Sequence, residues 1–454
     1  MRGSHSQNGV SAAQNEAAQT DACASYPSSV TGCFPSGKTP RDALRLVQLS
    51  PQGGSLSYIH KEDAMLAAII CEYNPFHAGH AYMVGEVRRA LGADVTIAAV
   101  MGGIFSQRGE PYIAPPTCRA AAAVAGGCDL VLELPYPYSA ARAADFARAG
   151  VEIAAAIGAD VLAFGSEVGD LTALEARRAR LDSGELRARA AALSAADRTL
   201  GQTRAAALAY EELYGGEDLA APNDILAVEY LRALARIKRR IKPLVIPRVG
   251  AYHGGMGGFP SASELRRGYA ARGIAAFAGE MPDGALAALC AAADAGLCPA
   301  DAERLASAVL LRLSALQGDV AAQARLAGDR AALERLLAAA PAAHTLSELF
   351  RAAASKRTTD ASLRRAALYA LLGTTEEEIA APVAYTRLLA ANTRGCAALG
   401  GARAGFVLTK PADAEKLADG GAQFRQTRLA ERAFALCFAG SYDCMRTSPC
   451  IIKE

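Results

Sequence analysis

The chain has 454 residues, with 48 Lys and Arg against 46 Asp and Glu, a formal net charge of +2. Hydrophobic residues make up 52%, but aromatics only 6% with no Trp, so alanine inflates the apolar content and helices are favoured over a strand-rich sandwich. The near-neutral balance excludes a polybasic nucleic-acid wrapper, and the modest charged fraction excludes a wholly disordered chain. Residues 1–64 open on Met-Arg-Gly-Ser-His and are rich in Ser, Gly, Gln, Asn and Pro; they read as a disordered leader or an expression-derived extension, with Met65 as an internal start. From Met65 short apolar runs expected as strands, Leu66–Cys71, Val95–Met101, Leu130–Leu134 and Val161–Phe164, alternate with helical patterns over 79–91, 115–127 and 142–157. A long helical stretch over 171–214 and a helix over 222–236 lead to a last strand, Leu244–Arg248, and Ser263 opens another helix. Such alternation indicates βαβ units and a parallel sheet covered on both faces. Beyond about 280 the strand signals stop, and 282–296, 299–316, 329–339, 345–355 and 361–372 read as helices. The expected class is therefore α/β: a Rossmann-like catalytic domain over 65–280, an α-helical domain over 281–400, and a C-terminal segment, 401–454, without a decisive pattern.

No run approaches the roughly 18 apolar residues needed to span a membrane, and the N-terminus lacks the apolar core of a secretion signal. The eleven cysteines are irregularly spaced, with no C-x-x-C and no zinc-like spacing. Reduced, mostly buried thiols in a cytoplasmic protein are expected.

The sharpest local signal is Glu72-Tyr73-Asn74-Pro75-Phe76-His77-Ala78-Gly79-His80, directly after the first strand and opening the first helix. In open α/β sheets ligands bind beyond the carboxyl ends of strands, where helix N-termini present free N–H groups to anions. Gly79 lets the backbone approach a phosphate, and the two imidazoles can donate to phosphate oxygens as pyrophosphate leaves. The competing reading makes His77 and His80 helix caps; the strand–turn–helix context favours the phosphate site.

These residues resemble the H-x-G-H nucleotidylyltransferase superfamily and, more narrowly, the bacterial tRNA(Met) cytidine acetate ligase family. The resemblance continues through Gly103-Ile104-Phe105-Ser106-Gln107-Arg108-Gly109-Glu110-Pro111, Asp129-Leu130-Val131-Leu132-Glu133-Leu134-Pro135, Phe164-Gly165-Ser166-Glu167-Val168-Gly169-Asp170 and Pro222-Asn223-Asp224-Ile225-Leu226. It closes on Arg248-Val249-Gly250-Ala251-Tyr252-His253 and Ser261-Ala262-Ser263-Glu264-Leu265-Arg266. It implies ATP as substrate; Mg²⁺ is expected because ATP phosphates usually carry it, and acetyl-CoA is not expected because its chemistry would not call for the H-x-G-H turn. Acetate would be activated as acetyl-AMP and its acetyl group passed to the wobble cytidine of elongator tRNA(Met), giving N4-acetylcytidine. By motif it implies catalytic His77 and His80. The ATP set is Ile70, Cys71, Glu72, Tyr73, Asn74, Pro75, Phe76, His77, Ala78, Gly79, His80, Ala81, Tyr82 and Met83, joined by Gly165, Asn223 and Arg248.

The residue types suit those roles. Gly165 ends a strand where a side chain would block a nucleotide, or simply makes a tight turn. Asn223 reads adenine through its amide or caps a helix, and Arg248 meets phosphate or acetate charge or is a solvated surface arginine. Ser263 and Arg266 grip phosphates at a helix start, or form an N-cap with an exposed arginine. Gln107, Arg108 and Glu110 line the site's mouth or a plain surface loop. For RNA the candidates are Lys356, Arg357 and Arg365, with further clusters at 238–242, Arg364, Arg387 and Arg394 supplying phosphate contacts. The chain departs from the family's pattern at Ala78, where Asn is usual, and at Thr358 and Ser362, where Tyr and Arg are. Neither a metal-ligand set nor a general base is legible. The alternative on the same fold is another adenylyltransferase, or an acyl-adenylate ligase with a small-molecule acceptor. A catalytically silent RNA-binding module would have no need of the intact histidines.

Overall fold

The computed structural model describes residues 65–197, 200, 202–215, 222–248, 259–356, 358–443 and 449–452. The expectations for residues 1–64, Arg357 and Tyr252-His253 lie outside the described residues. The N-terminal half runs β1 (Leu66–Cys71), α1 (Ala78–Leu91), β2 (Thr96–Gly102), α2 (Pro116–Ala125), β3 (Leu130–Leu134), α3 (Ala143–Ala156) and β4 (Val161–Ser166). Then come α4 (Leu171–Leu181), α5 (Gly184–Ala196), α6 (Gln202–Tyr214), α7 (Pro222–Arg236), β5 (Lys242–Pro247), α8 (Ala262–Arg272) and α9 (Asp283–Asp294). The single helical stretch expected over 171–214 is three helices, because Asp182 and Ser183 break it and Ser183 Oγ caps α5 at the Leu186 N–H.

β1 to β5 are parallel, in spatial order β5-β4-β1-β2-β3. The chain winds outward from β1 through β2 and β3, then returns to β1's other side for β4 and β5. The order therefore reverses between β1 and β4, the topological switch point where such sheets bind ligands. β1 to β4 are almost wholly buried because both faces are covered, while the edge strand β5 is mostly half-buried. One face packs Val84 and Val87 of α1, Ala120 and Val124 of α2 and Leu286 and Leu289 of α9 into one core. The other packs Phe146 and Ile153 of α3 with Val228 and Leu231 of α7.

The C-terminal half contributes α10 (Ala306–Leu316), α11 (Val320–Arg325), α12 (Arg330–Ala339), α13 (Leu346–Ala353), α14 (Asp360–Leu372) and α15 (Glu376–Ala380). It ends in β6 (Thr386–Ala391), α16 (Thr393–Ala398), β7 (Val407–Leu408), α17 (Ala422–Ala435) and β8 (Cys450–Ile451). The expectation that strands end near 280 is corrected here: β6 pairs antiparallel with β3, and β7 and β8 pair with β6. Sequence reading missed β6 because Thr-Arg-Leu-Leu-Ala-Ala has helical propensity and a charge. Pairing with β3 overrides the first, and the second is met by buried carboxylates. Arg387 bonds both oxygens of Glu133 on β3 and, at 2.6 Å, Glu431 on α17, and both glutamates are fully buried. Sheet and core thus draw on residues from both sides of the expected boundaries at 280 and 400. Leu313, Leu336, Leu349 and Leu363 of the helical body form a core with Ile104, Phe105 and Tyr112 of the loop after β2. Among the described residues no helix is long and apolar enough to cross a membrane, and Cys71, Cys118, Cys128, Cys298, Cys396 and Cys437 carry free thiols.

Candidate active site

The turn between β1 and α1 lies at the switch point. His77 is the N-cap of α1 with extended backbone, and its Nδ1 accepts from the Gly79 N–H at 3.1 Å. His80 closes the box in return, its Nδ1 accepting from the His77 N–H at 3.2 Å. The capping reading and the chemical reading are therefore compatible. Because both Nδ1 atoms accept, the neutral tautomer of each ring carries its proton on Nε2, leaving one N–H apiece to offer a ligand. The rings lie 3.8 Å apart between centroids. Burial, then the nearby Arg248 charge, pushes the His77 pKa down to about 4. Burial, His77 and Arg248 hold His80 well below its ordinary range. At neutral pH the pair is a set of uncharged donors. A Cβ on Gly79 would sit 2.9 Å from the His77 ring, so the helix start can carry no side chain there.

The rest of the turn is braced from behind. Tyr73 has φ +45, an uncommon conformation for a bulky residue, and its ring packs edge-on against Phe76 and His80. Asn74 Oδ1 accepts from the Ile113 N–H at 2.8 Å, and its carbonyl accepts from Arg266 at 2.7 Å. Ser261, not Ser263, caps α8, while Ser263 Oγ accepts from Arg266 at 3.3 Å. That pair is therefore tied to the histidine turn. The Ala78 N–H is taken by the Glu280 carbonyl at 2.9 Å. Ile70, Tyr73 and Phe76 are core residues, whereas Ala81, Tyr82 and Met83 are half-buried along the first turns of α1. Burial raises the Cys71 thiol well above its ordinary value, which leaves it inert as a nucleophile.

Across the crevice, Gly165 is the penultimate residue of β4. A Cβ there would meet nothing nearer than Arg248 Cγ at 3.6 Å, so the protein itself leaves that space free. Asn223 and Arg248 meet at Glu167: Asn223 Nδ2 donates to Glu167 Oε1, and the Arg248 guanidinium lies 3.8 Å from the same oxygen. The structure thus brings Gly165, Asn223 and Arg248 together opposite the histidines. Pro247 and Arg248, at the carboxyl end of β5, are exposed.

Three residues here were not singled out from the sequence. Glu167 is the hub just described. Asp224 Oδ1 accepts from Ser166 Oγ at 2.5 Å and from the Glu167 N–H at 3.0 Å, while its Oδ2 faces buried Arg177 at 3.7 Å. Arg119, fully buried, donates to the carbonyls of Ala114, Glu72, Gly102 and Gly103 and stacks 4.0 Å over Tyr112. It ties together the carboxyl ends of β1 and β2 behind the turn and sets a buried cation there. A lone arginine in the alanine run of α2 was the available signal.

The loop after β2 forms the mouth. Glu72 Oε1 accepts from the Gln107 N–H at 3.0 Å and from Tyr112 at 3.3 Å. Arg365 donates to the Gln107 carbonyl at 2.7 Å, and Arg364 pairs with Glu110 at 2.6 Å, so α14 holds this loop. Arg365, expected among the RNA contacts, is therefore occupied inside the chain. The same holds for Arg387, whereas Arg394 donates to the Ala93 carbonyl at 2.9 Å and remains exposed. Lys356 is exposed. The 238–242 cluster precedes β5 at the amino end of the sheet, opposite the site.

Two imidazoles at a helix N-terminus, with an arginine and a glycine across a switch point, form a candidate site where parallel α/β sheets of the nucleotide-binding class take their ligands. A family model described as HIGH Nucleotidyl Transferase matches residues 65–444, and the chain belongs to that family. Over 191 residues it is 40% identical to the tRNA(Met) cytidine acetate ligase of Lysinibacillus sphaericus, covering 41% of this chain and 47% of that protein. The protein of the same name from Halalkalibacterium halodurans is 39% identical over 189 residues, covering 41% of this chain and 45% of the relative. The chain thus spans about half the length of the curated relatives it matches. Among solved structures, Thermotoga maritima TmcAL bound with alpha-thio ATP superposes with a TM-score of 0.75 at 24% identity, covering 86% of this chain and all of that one. That likeness shows the shared fold.

Proposed function

We propose that the chain is an ATP-dependent acetate ligase acting on the wobble cytidine of elongator tRNA(Met). The observation that carries the reading is the pair of neutral Nε2–H donors at the start of α1, with Arg248 facing them. An acetate oxygen attacks the α-phosphorus of ATP, the bond to the β-phosphate breaks, and pyrophosphate leaves with its growing charge met by His77, His80 and Arg248. The cytidine N4 then attacks the acetyl carbonyl. AMP departs, N4 loses a proton, and N4-acetylcytidine remains. Arg266 and buried Arg119 add positive potential behind the turn, and Asn223 and the space at Gly165 receive the adenosine side. Among the described residues no cluster of three His, Cys, Asp or Glu has a metal-site arrangement; Mg²⁺ is expected to arrive held by the nucleotide's phosphates. With ATP and tRNA as substrates, the reaction is expected in the cytoplasm. The names of the curated relatives support the acetate and tRNA assignments.

The test is incubation with ATP, Mg²⁺, labelled acetate and elongator tRNA(Met), beside a reaction given acetyl-CoA without ATP, followed by nucleoside analysis. Labelled N4-acetylcytidine appearing only with ATP and acetate is the expected result. Acetate-dependent pyrophosphate release without acetylated tRNA would transfer the reading to an acyl-adenylate ligase with another acceptor. Neither signal would overturn it.

A further inference from the structure

The loop after β4 and the start of α7 are locked by a reciprocal pair of caps. Asp224 Oδ1 accepts from the Glu167 N–H at 3.0 Å, while Glu167 Oε2 accepts from the Asp224 N–H at 3.2 Å. The other Glu167 oxygen holds Asn223 Nδ2. A carboxylate can only accept, so the Asn223 amide has one permitted orientation: nitrogen toward Glu167. Its Oδ1 has no hydrogen-bond partner among the described residues. Two large apolar side chains are exposed on the two segments that this lock joins: Val168, next to Glu167, at 49%, and Ile225, two residues after Asn223, at 44%. The vacant Cβ position of Gly165 lies on the neighbouring strand end. An amide of fixed orientation with an unpaired acceptor, on segments that expose apolar side chains and beside a strand residue without a side chain, has the form of a site for one edge of a flat heterocycle.

We propose that Glu167 is a positioning residue that sets which purine the site accepts. With Nδ2 committed, the edge of Asn223 offers an acceptor, Oδ1, together with the second Nδ2 hydrogen. That pattern complements a 6-amino purine, which places a donor beside a ring-nitrogen acceptor, and it opposes a 6-oxo group at the same place. The proposal rests on the nucleotide-site reading above and adds base selectivity to it.

Glu167→Gln gives the sharpest test because it keeps shape. The Asp224 N–H still requires an acceptor, so the Gln oxygen turns toward it and the Gln NH₂ toward Asn223. The Asn223 amide must then flip, presenting Nδ2 hydrogens where Oδ1 stood. Binding of ATP and of ITP, which differ in the 6-substituent, is measured on the full chain by calorimetry without acetate. Any change in the Arg248 pairing affects both nucleotides alike and cancels in their ratio. The wild-type chain is expected to prefer ATP by about tenfold or more, and Glu167→Gln to lower that ratio by about tenfold. Asn223→Ala should abolish the preference, and it carries the test alone if Glu167→Gln does not fold. Equal wild-type affinities, or a ratio unchanged in either folded variant, would overturn the proposal. A wild-type chain that binds neither nucleotide would remove the nucleotide site itself, a failure visible before any variant is made.

Discussion

At the scale of single residues, His77 caps α1 and is proposed as a phosphate donor, and a substitution can separate the two roles. As N-cap it needs a side-chain acceptor, which Asn supplies at least as well. As phosphate donor it needs the Nε2–H, which Asn places elsewhere. His77→Asn is expected to fold and to lower acetate-dependent pyrophosphate release about 10²- to 10³-fold, with tRNA binding unchanged. His80→Ala should lose rate to a similar degree. Retained pyrophosphate release in both would remove the imidazoles from the chemistry. The same residue predicts a pH dependence of stability. Its pKa is lowered on folding, to about 4, so the unfolded chain binds the proton more readily. The contribution is fully present above about pH 6.5 and is lost as pH falls toward 4, about 3 kcal/mol for this group alone. Denaturant titrations from pH 7.5 to 4.5 should show a smaller decline in His77→Asn than in the wild type.

At the scale of elements, the mouth loop is held by contacts from the far end of the chain. Arg365 of α14 grips the Gln107 carbonyl, and Glu72 grips the N–H of the same residue. Arg365→Ala is expected to cost about 1–2 kcal/mol of stability and to lower the rate, leaving the salt dependence of tRNA binding unchanged. A flattened salt slope would return Arg365 to the RNA-facing surface. This contact also marks where sequence reading stops. β1 to β4 were legible because each is an apolar run between Gly, Pro or polar punctuation, and the histidine turn because it follows one of them. The Arg365 partner of Gln107 was not, since it lies 258 positions away. Nor was Glu167: a single acidic residue after a strand looks like any solvated loop charge until Asn223 and Asp224 close on it from α7.

At the scale of the whole molecule, the chain returns to its sheet after the helical body, and this decides how its arginines are read. In sequence Arg387 and Lys356 looked alike, as basic residues available to RNA phosphates. In the fold Arg387 bridges two fully buried glutamates, Glu133 on β3 and Glu431 on α17, the latter also 3.2 Å from Arg428, so that β6 and α17 are fastened to the strand bearing Glu133. Lys356 stands exposed in the helical body. The two should therefore fail differently when neutralised. Arg387→Met leaves both carboxylates buried without their shared partner and should cost about 3–5 kcal/mol, lowering the melting temperature. Any loss of tRNA affinity would then disappear when only the folded fraction is counted. Lys356→Ala should leave the melting temperature within about 1 °C, because a surface charge contributes little to stability. It should weaken tRNA binding at low salt and reduce the slope of log affinity against log salt by about 1, the signature of one lost phosphate contact. Thermal melts beside tRNA titrations at two or more salt concentrations separate the cases. An unchanged melt for Arg387→Met would refute its role as the buried fastener, and an unchanged slope for Lys356→Ala would take the tRNA off that face of the helical body.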